Sequence, residues 1–167
     1  MTPLAELHLT VDTQIILIGN GMSDLVRTPA HAQLMAHFHD AAFLALDNGA
    51  QIRTAYERKM GADSEGRKWL ANLAVHDRIR MYDLASMPKK VKVELDKAHF
   101  HQTDRKFVRL AMATDSKCLV AEESDYSKAV IKVLQKHAGL TIHSAESACT
   151  MIELSIPENP QADLPPA

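Results

Sequence analysis

The sequence predicts an α/β fold with a central, mostly parallel sheet flanked by helices. Three observations predict it. Leu7 to Ile18 is rich in β-branched apolar residues, as a central strand requires. Short apolar runs then alternate with segments of helical periodicity, the pattern of a parallel sheet with crossover helices. Finally, Tyr126, Ala129, Val130, Val133, Leu134 and His137 fall on one helical face, and Gly139 follows as a stop.

The elements follow in order. The Leu7 to Ile18 strand ends at the turn Gly19-Asn20-Gly21, which lacks the third glycine and the lysine of a nucleotide-binding loop. Thr28-Pro29 opens a helix, with proline at the first helical position and Leu34, Met35 and Phe38 as the buried stripe. Ala41 to Leu46 is a second apolar run, ended by the turn Asp47-Asn48-Gly49. Helices are expected over Ile52 to Met60 and over Ser64 to Val75, where Trp69, Leu70 and Leu73 share a face. Arg78 to Leu84 is expected to be extended, and Pro88 to Lys97 to form a basic short helix or loop. Thr103 is placed to cap a helix running to Met112 on Phe107, Val108 and Ala111. Lys117 to Ala121 reads as a strand and Ser124 to His137 as a helix. Leu140 to His143 is a last strand, and Ser144 to Ile152 a last helix. These define one domain over residues 1–156. Pro157 to Ala167 holds four prolines and is expected to be a disordered tail.

Composition narrows the function classes. With 19 basic and 21 acidic residues among 167, the formal charge of −2 argues against a protein that coats nucleic acid through bulk charge. Cys118 and Cys149 form no CxxC pair and read as reduced core thiols of a cytoplasmic protein. Glu6 and His8 break any early apolar stretch that would make a signal peptide. No run approaches the roughly 18 residues of a membrane span, so no membrane partner is expected.

The candidate chemistry lies in carboxylates. Asp12 interrupts the first apolar run, and burying a carboxylate there is costly unless a cation meets it. A strand interior also offers it no capping role. Asp104 opens a helix, and Glu122, Glu123 and Asp125 follow a strand. Each of these four would also suit a helix start for its own sake. Active sites of parallel sheets lie at the carboxyl ends of the strands, so the set has a route to one divalent cation. The histidines offer less. His37 and His39 lie two apart, on opposite sides of a helix, and no HExxH or Cys-His spacing occurs. The basic residues Arg53, Arg58, Lys59, Arg67 and Lys68 and the lysines of Pro88 to Lys97 suit a solvated surface or phosphate contacts.

Three segments in order resemble the PIN-like nucleases over about residues 7 to 150. Thr10-Val-Asp12-Thr-Gln-Ile-Ile-Leu17 is similar to their first strand with its aspartate. Asp104-Arg-Lys-Phe-Val-Arg-Leu-Ala111 is similar to the helix that opens with their third acid. Leu119-Val-Ala-Glu-Glu-Ser-Asp-Tyr126 is similar to the next strand and its acid-rich turn. Leu46 to Tyr56 looks like a strand, turn and helix of some PIN-like proteins.

The resemblance implies a three-layer PIN-like fold and a ribonuclease that binds Mg²⁺ or Mn²⁺. Asp12 and Asp104 match the first and third acids. Glu123 matches the fourth, with Asp125 beside it. The resemblance also implies RNA as substrate, pairing into a homodimer and, as in small bacterial toxin–antitoxin members, an inhibitory protein partner. Two positions depart from the pattern. Ala55 stands where the second acid is expected, with Asp47 and Glu57 as the nearby carboxylates, and Ala121 replaces a small hydroxyl residue. These departures support a rival expectation, a non-catalytic PIN-like module that binds nucleic acid or protein. A third is a different doubly wound α/β protein, such as a phospho-accepting receiver, which would lack its strand-end lysine here and leave the acids at 122–125 without a role.

Overall fold

Five parallel strands form the sheet in the order β3-β2-β1-β4-β5: β1 (His8–Val11), β2 (Phe43–Asp47), β3 (Ile79–Tyr82), β4 (Cys118–Val120) and β5 (Thr141–His143). The structure is a computed structural model and describes residues 6–122 and 124–157. Among these residues eight α-helices connect and cover the strands: α1 (Thr13–Gly19), α2 (Pro29–Asp40), α3 (Gln51–Arg58), α4 (Glu65–Val75), α5 (Lys89–Lys97), α6 (Arg105–Ala113), α7 (Lys128–Ala138) and α8 (Ala145–Ser155). This is a three-layer α/β architecture with an all-parallel sheet. Of the expected Pro-rich tail, only Pro157 falls among the described residues. No helix among them is long and apolar enough to cross a membrane.

Local sequence explains most boundaries. Thr28 caps α2, accepting from the His31 amide at 3.4 Å, while the Thr28 amide donates to His31 Nδ1 at 3.3 Å. Ser64 caps α4 and Ser127 caps α7 by accepting the Arg67 and Val130 amides, without the reciprocal bond. Gly139 ends α7 at φ +66°, a conformation glycine adopts without steric cost.

Three expectations need correction. The first strand ends at Val11, and residues 13–19 are helical. Every residue from Ile15 to Gly19 is buried, so this apolar run carries no periodicity to separate helix from strand. Asp12 is therefore the N-cap of α1, a role the strand reading denied it. Thr103 does not cap α6: it lies in a 3-10 turn, Gln102–Asp104, whose last residue precedes the helix. And α7 starts at Lys128 rather than Ser124, because Ser127 caps it and Tyr126 turns inward against Phe100, ring centroids 5.2 Å apart.

One helical layer gathers around α2, which packs on α1 and α8 and sets Phe38 edge-on to Trp69 of α4. In the other, α6 lies across β1, β2 and β4 with α3 against it, and Arg105 ties α6 to Asp96 of α5 at 2.6 Å. The core fills both sides of the sheet, with Leu9, Val11, Leu44, Leu119 and Phe38 wholly or almost wholly buried. Tyr56 of α3 donates its hydroxyl to the Val11 carbonyl at 2.5 Å, fixing the helix to the end of β1.

Asp47, at the end of β2, is buried, and its two oxygens accept the amides of Gln51 at 3.0 Å and Ile52 at 2.8 Å. It thus satisfies the first donors of α3, whose cap residue Ala50 has no polar side chain. Asp47→Ala is expected to cost about 1–3 kcal/mol in urea unfolding, with Asp47→Asn recovering part of it.

Candidate functional site

The strand order reverses direction at β1: β2 and β3 lie on one side of it, β4 and β5 on the other. Such a switch point opens a crevice at the carboxyl ends of the two central strands, here β1 and β4. The receiver expectation fails on this order, because receivers share the flavodoxin-type order 2-1-3-4-5. Dinucleotide-binding folds place a glycine-rich turn after their first strand. This chain places Asp12-Thr13-Gln14 there.

Asp12 leaves β1 in an extended conformation, and its carboxylate accepts the Gln14 amide at 3.4 Å. Its own amide donates to the Val120 carbonyl at 2.8 Å, so β1 and β4 end side by side. Asp104 reaches the same crevice from the 3-10 turn before α6, and Asp125 from the turn after β4. The three carboxylates line one cleft of about 640 Å³. Thr13, Gln14 and Ser23 add polar wall, and Gln14 Nε2 donates to Ser23 Oγ at 2.9 Å. Arg58, Lys59 and Lys106 bring positive charge to its lining.

The electrostatics follow from burial and like charge. Asp12 is only 6% exposed, and among the described residues no basic side chain pairs with it. Its pKa is pushed up to about 7, first by burial and then by Asp104 and Asp125. The pKa of Asp125 is raised as well, by burial first and then by Asp104 and Glu122. The buried Tyr126 hydroxyl has no hydrogen-bond partner among the described residues. Burial holds its proton, and the charges of Asp12, Asp104 and Asp125 reinforce that.

The other carboxylates of the sequence reading go elsewhere. Glu122 accepts from His31 Nε2 at 2.6 Å; because His31 Nδ1 accepts the Thr28 amide, the ring proton sits on Nε2. Glu122 thus ties the end of β4 to α2 and does not line the cleft. Glu123 lies outside the described residues. Ala55 lines the cleft at the position of the missing second acid, and neither neighbour replaces it. Asp47 holds α3, while Glu57 pairs with Arg53 at 2.8 Å and Arg67 at 3.5 Å. Among the described residues no group of three or more His, Cys, Asp or Glu side chains is arranged to hold a metal ion.

Among the polar cleft residues, Ser23, Asp24 and Lys106 escaped the sequence reading. Asp24 sits in an exposed loop with no periodicity or motif to mark it. Lys106 follows the matched Asp104 by two residues, and that spacing was the available signal. No family model, no curated protein and no solved structure matches the chain.

Asp12 makes a signed prediction. A carboxylate whose folded pKa lies above its unfolded value of 3.8 destabilises the fold when ionised, so its penalty grows from about pH 4 and is complete above about pH 7. Asp12→Asn keeps the cap oxygen and removes the charge. In urea unfolding without divalent cations it is expected to be more stable than the native chain by about 1–4 kcal/mol at pH 8, the difference vanishing near pH 4.

Proposed function

We propose that the chain is a metal-dependent ribonuclease of the PIN-like kind, acting at the cleft of Asp12, Asp104 and Asp125. The observation that carries this reading is the convergence of three carboxylates at the switch point, with the central one buried and unpaired among the described residues. The donor set fits a hard cation: it is all oxygen, and among the described residues none of the three carboxylates forms an ion pair. Mg²⁺ keeps several waters and needs only one or two carboxylates, so a three-ligand cage is not required. When bound, such a cation supplies an activated water and neutralises the charge of the phosphodiester transition state.

The chain's own residues have separable roles. Asp12 stands at the centre, its main chain held by Val120 and by the α1 turn. Asp104 and Asp125 line the same cleft, act on Asp12 through their charge and favour a cation over an anion there. In the resemblance Glu123 matches the fourth acid. Arg58, Lys59 and Lys106 suit the substrate's phosphates. RNA as substrate, a homodimer and an inhibitory partner rest on the resemblance. A cytoplasmic location rests on the two free, buried cysteines.

One observation favours a non-catalytic module instead: Ala55 leaves the cleft without a second acid, and neither Asp47 nor Glu57 is free to supply it. Labelled single-stranded RNA decides between the two. Cleavage is expected in Mn²⁺, abolished by EDTA and reduced roughly 10²-fold or more by Asp12→Asn. Undiminished cleavage by Asp12→Asn would remove Asp12 from the site. An inert native chain that also fails to bind Mn²⁺ would establish the module.

A further inference from the structure

A second cavity of about 520 Å³ adjoins the acid cleft and shares Thr103 and Lys106 with it. Its character is the opposite. Lys92, Arg105, Lys106 and Arg109 line it together with Ser86 and Gln102, and no carboxylate does. Lys92 comes from α5, and Arg105, Lys106 and Arg109 from the first turns of α6, so the wall is built by two helices held against each other. Among the described residues Lys92, Lys106 and Arg109 have no carboxylate partner; Arg109 Nε donates to the Ala85 carbonyl at 2.8 Å, which fixes the stem of its guanidinium. Arg105 is 7% exposed. One of its terminal nitrogens serves Asp96 and the Phe100 carbonyl, while its Nε has no partner. A buried guanidinium N–H left open in a wall of unpaired cations calls for an acceptor.

From this we infer that the cavity is a phosphate subsite. It takes the phosphodiester next to the scissile one, in a single-stranded polynucleotide lying across both cavities. The ligand class rests on the proposed function; the anion preference rests on the cavity. The two cavities divide the work. The acid cleft sets carboxylates beside its cations and takes the scissile phosphate with a bound cation, whereas the basic cavity, which has no carboxylate, holds a phosphate without one. Lys106, lining both, marks the boundary over which the strand passes.

The full-length chain in EDTA tests this without catalysis. Binding of a short fluorescein-labelled oligouridylate is read by anisotropy across a range of salt. Lys92 is exposed and makes no side-chain hydrogen bond among the described residues, so Lys92→Glu is compatible with folding. It is expected to weaken binding roughly tenfold and to lower the salt slope by about 0.7, the value of one phosphate contact on a single strand. Lys92→Arg should restore both, and Lys68→Glu on α4, in neither cavity, should change neither.

Unchanged binding by Lys92→Glu would overturn the subsite. So would binding of AMP that depends on Lys92 while oligouridylate binding does not, since the cavity would then serve a free nucleotide. Cleavage separates this inference from the one it rests on. In Mn²⁺, the dinucleotide UpU has no flanking phosphate, so Lys92→Glu should cleave it like the native chain and cut only the longer strand more slowly. A native chain that cleaves nothing and binds no Mn²⁺ defeats the ribonuclease reading while the binding result still stands or falls by itself.

Discussion

The hydrogen bond from the Asp12 amide to the Val120 carbonyl is the contact on which the site depends. It extends the β1–β4 register, Thr10 with Leu119 and Val11 with Val120, by one step beyond the strands. Both chains then diverge from a common level. One turns into α1 and the other into the loop that carries Asp125. Without that pairing the acids from residues 12 and 125 would have no reason to meet. Asp104 joins them because α6 packs across β1, β2 and β4, which sets its N-terminal end above the same strand ends. The sheet order, rather than any local motif, makes these three residues neighbours.

Charge is then sorted around this point. The carboxylates occupy the inner wall, and the cations that share the cleft come from α3 and α6. Other cations outside this cleft are engaged in pairs: Arg105 with Asp96, Arg67 with Glu57 and the Glu57 carbonyl, Arg53 with Glu57. His31 is likewise held by Thr28 and Glu122. The acid cleft therefore sets carboxylates beside cations, whereas the adjoining cavity holds cations and no carboxylate, although the whole chain is close to neutral.

Much of the fold was legible in the sequence, for identifiable reasons. Thr28-Pro29, Ser64 and Gly139 mark helix ends through their own side chains or backbone freedom, and each acts where expected. The later strands are short apolar runs with clear turns beside them. The failure came at residues 13–18, where an all-apolar run is equally compatible with a buried strand and a buried helix. Only tertiary context resolves it, because α1 must fold back to let α2 reach β2. The site was legible in part. Asp12 was visible as a carboxylate inside an apolar run, Asp104 as an acid at a helix start, and Asp125 as one of a cluster. That Glu122 turns away to His31, 91 residues earlier in the chain, could not be read from any spacing. Asp47 looked like a possible substitute for the missing second acid, from the turn before the next helix. Its burial against α3 was invisible until the helix start was known.

The anchoring of Asp12 has one more consequence. Its amide is fixed to β4, its carboxylate caps α1, and the carbonyl just before it is held by Tyr56. The residue has no room to swing away from its like-charged neighbours. Its repulsion is therefore built in during folding, long before any visitor arrives, and a visitor of opposite charge finds a surface that need not rearrange. By linkage, whatever relieves that repulsion also tightens the fold. Occupancy and rigidity of this protein should rise together, so its resistance to proteolysis carries a record of what the cleft contains.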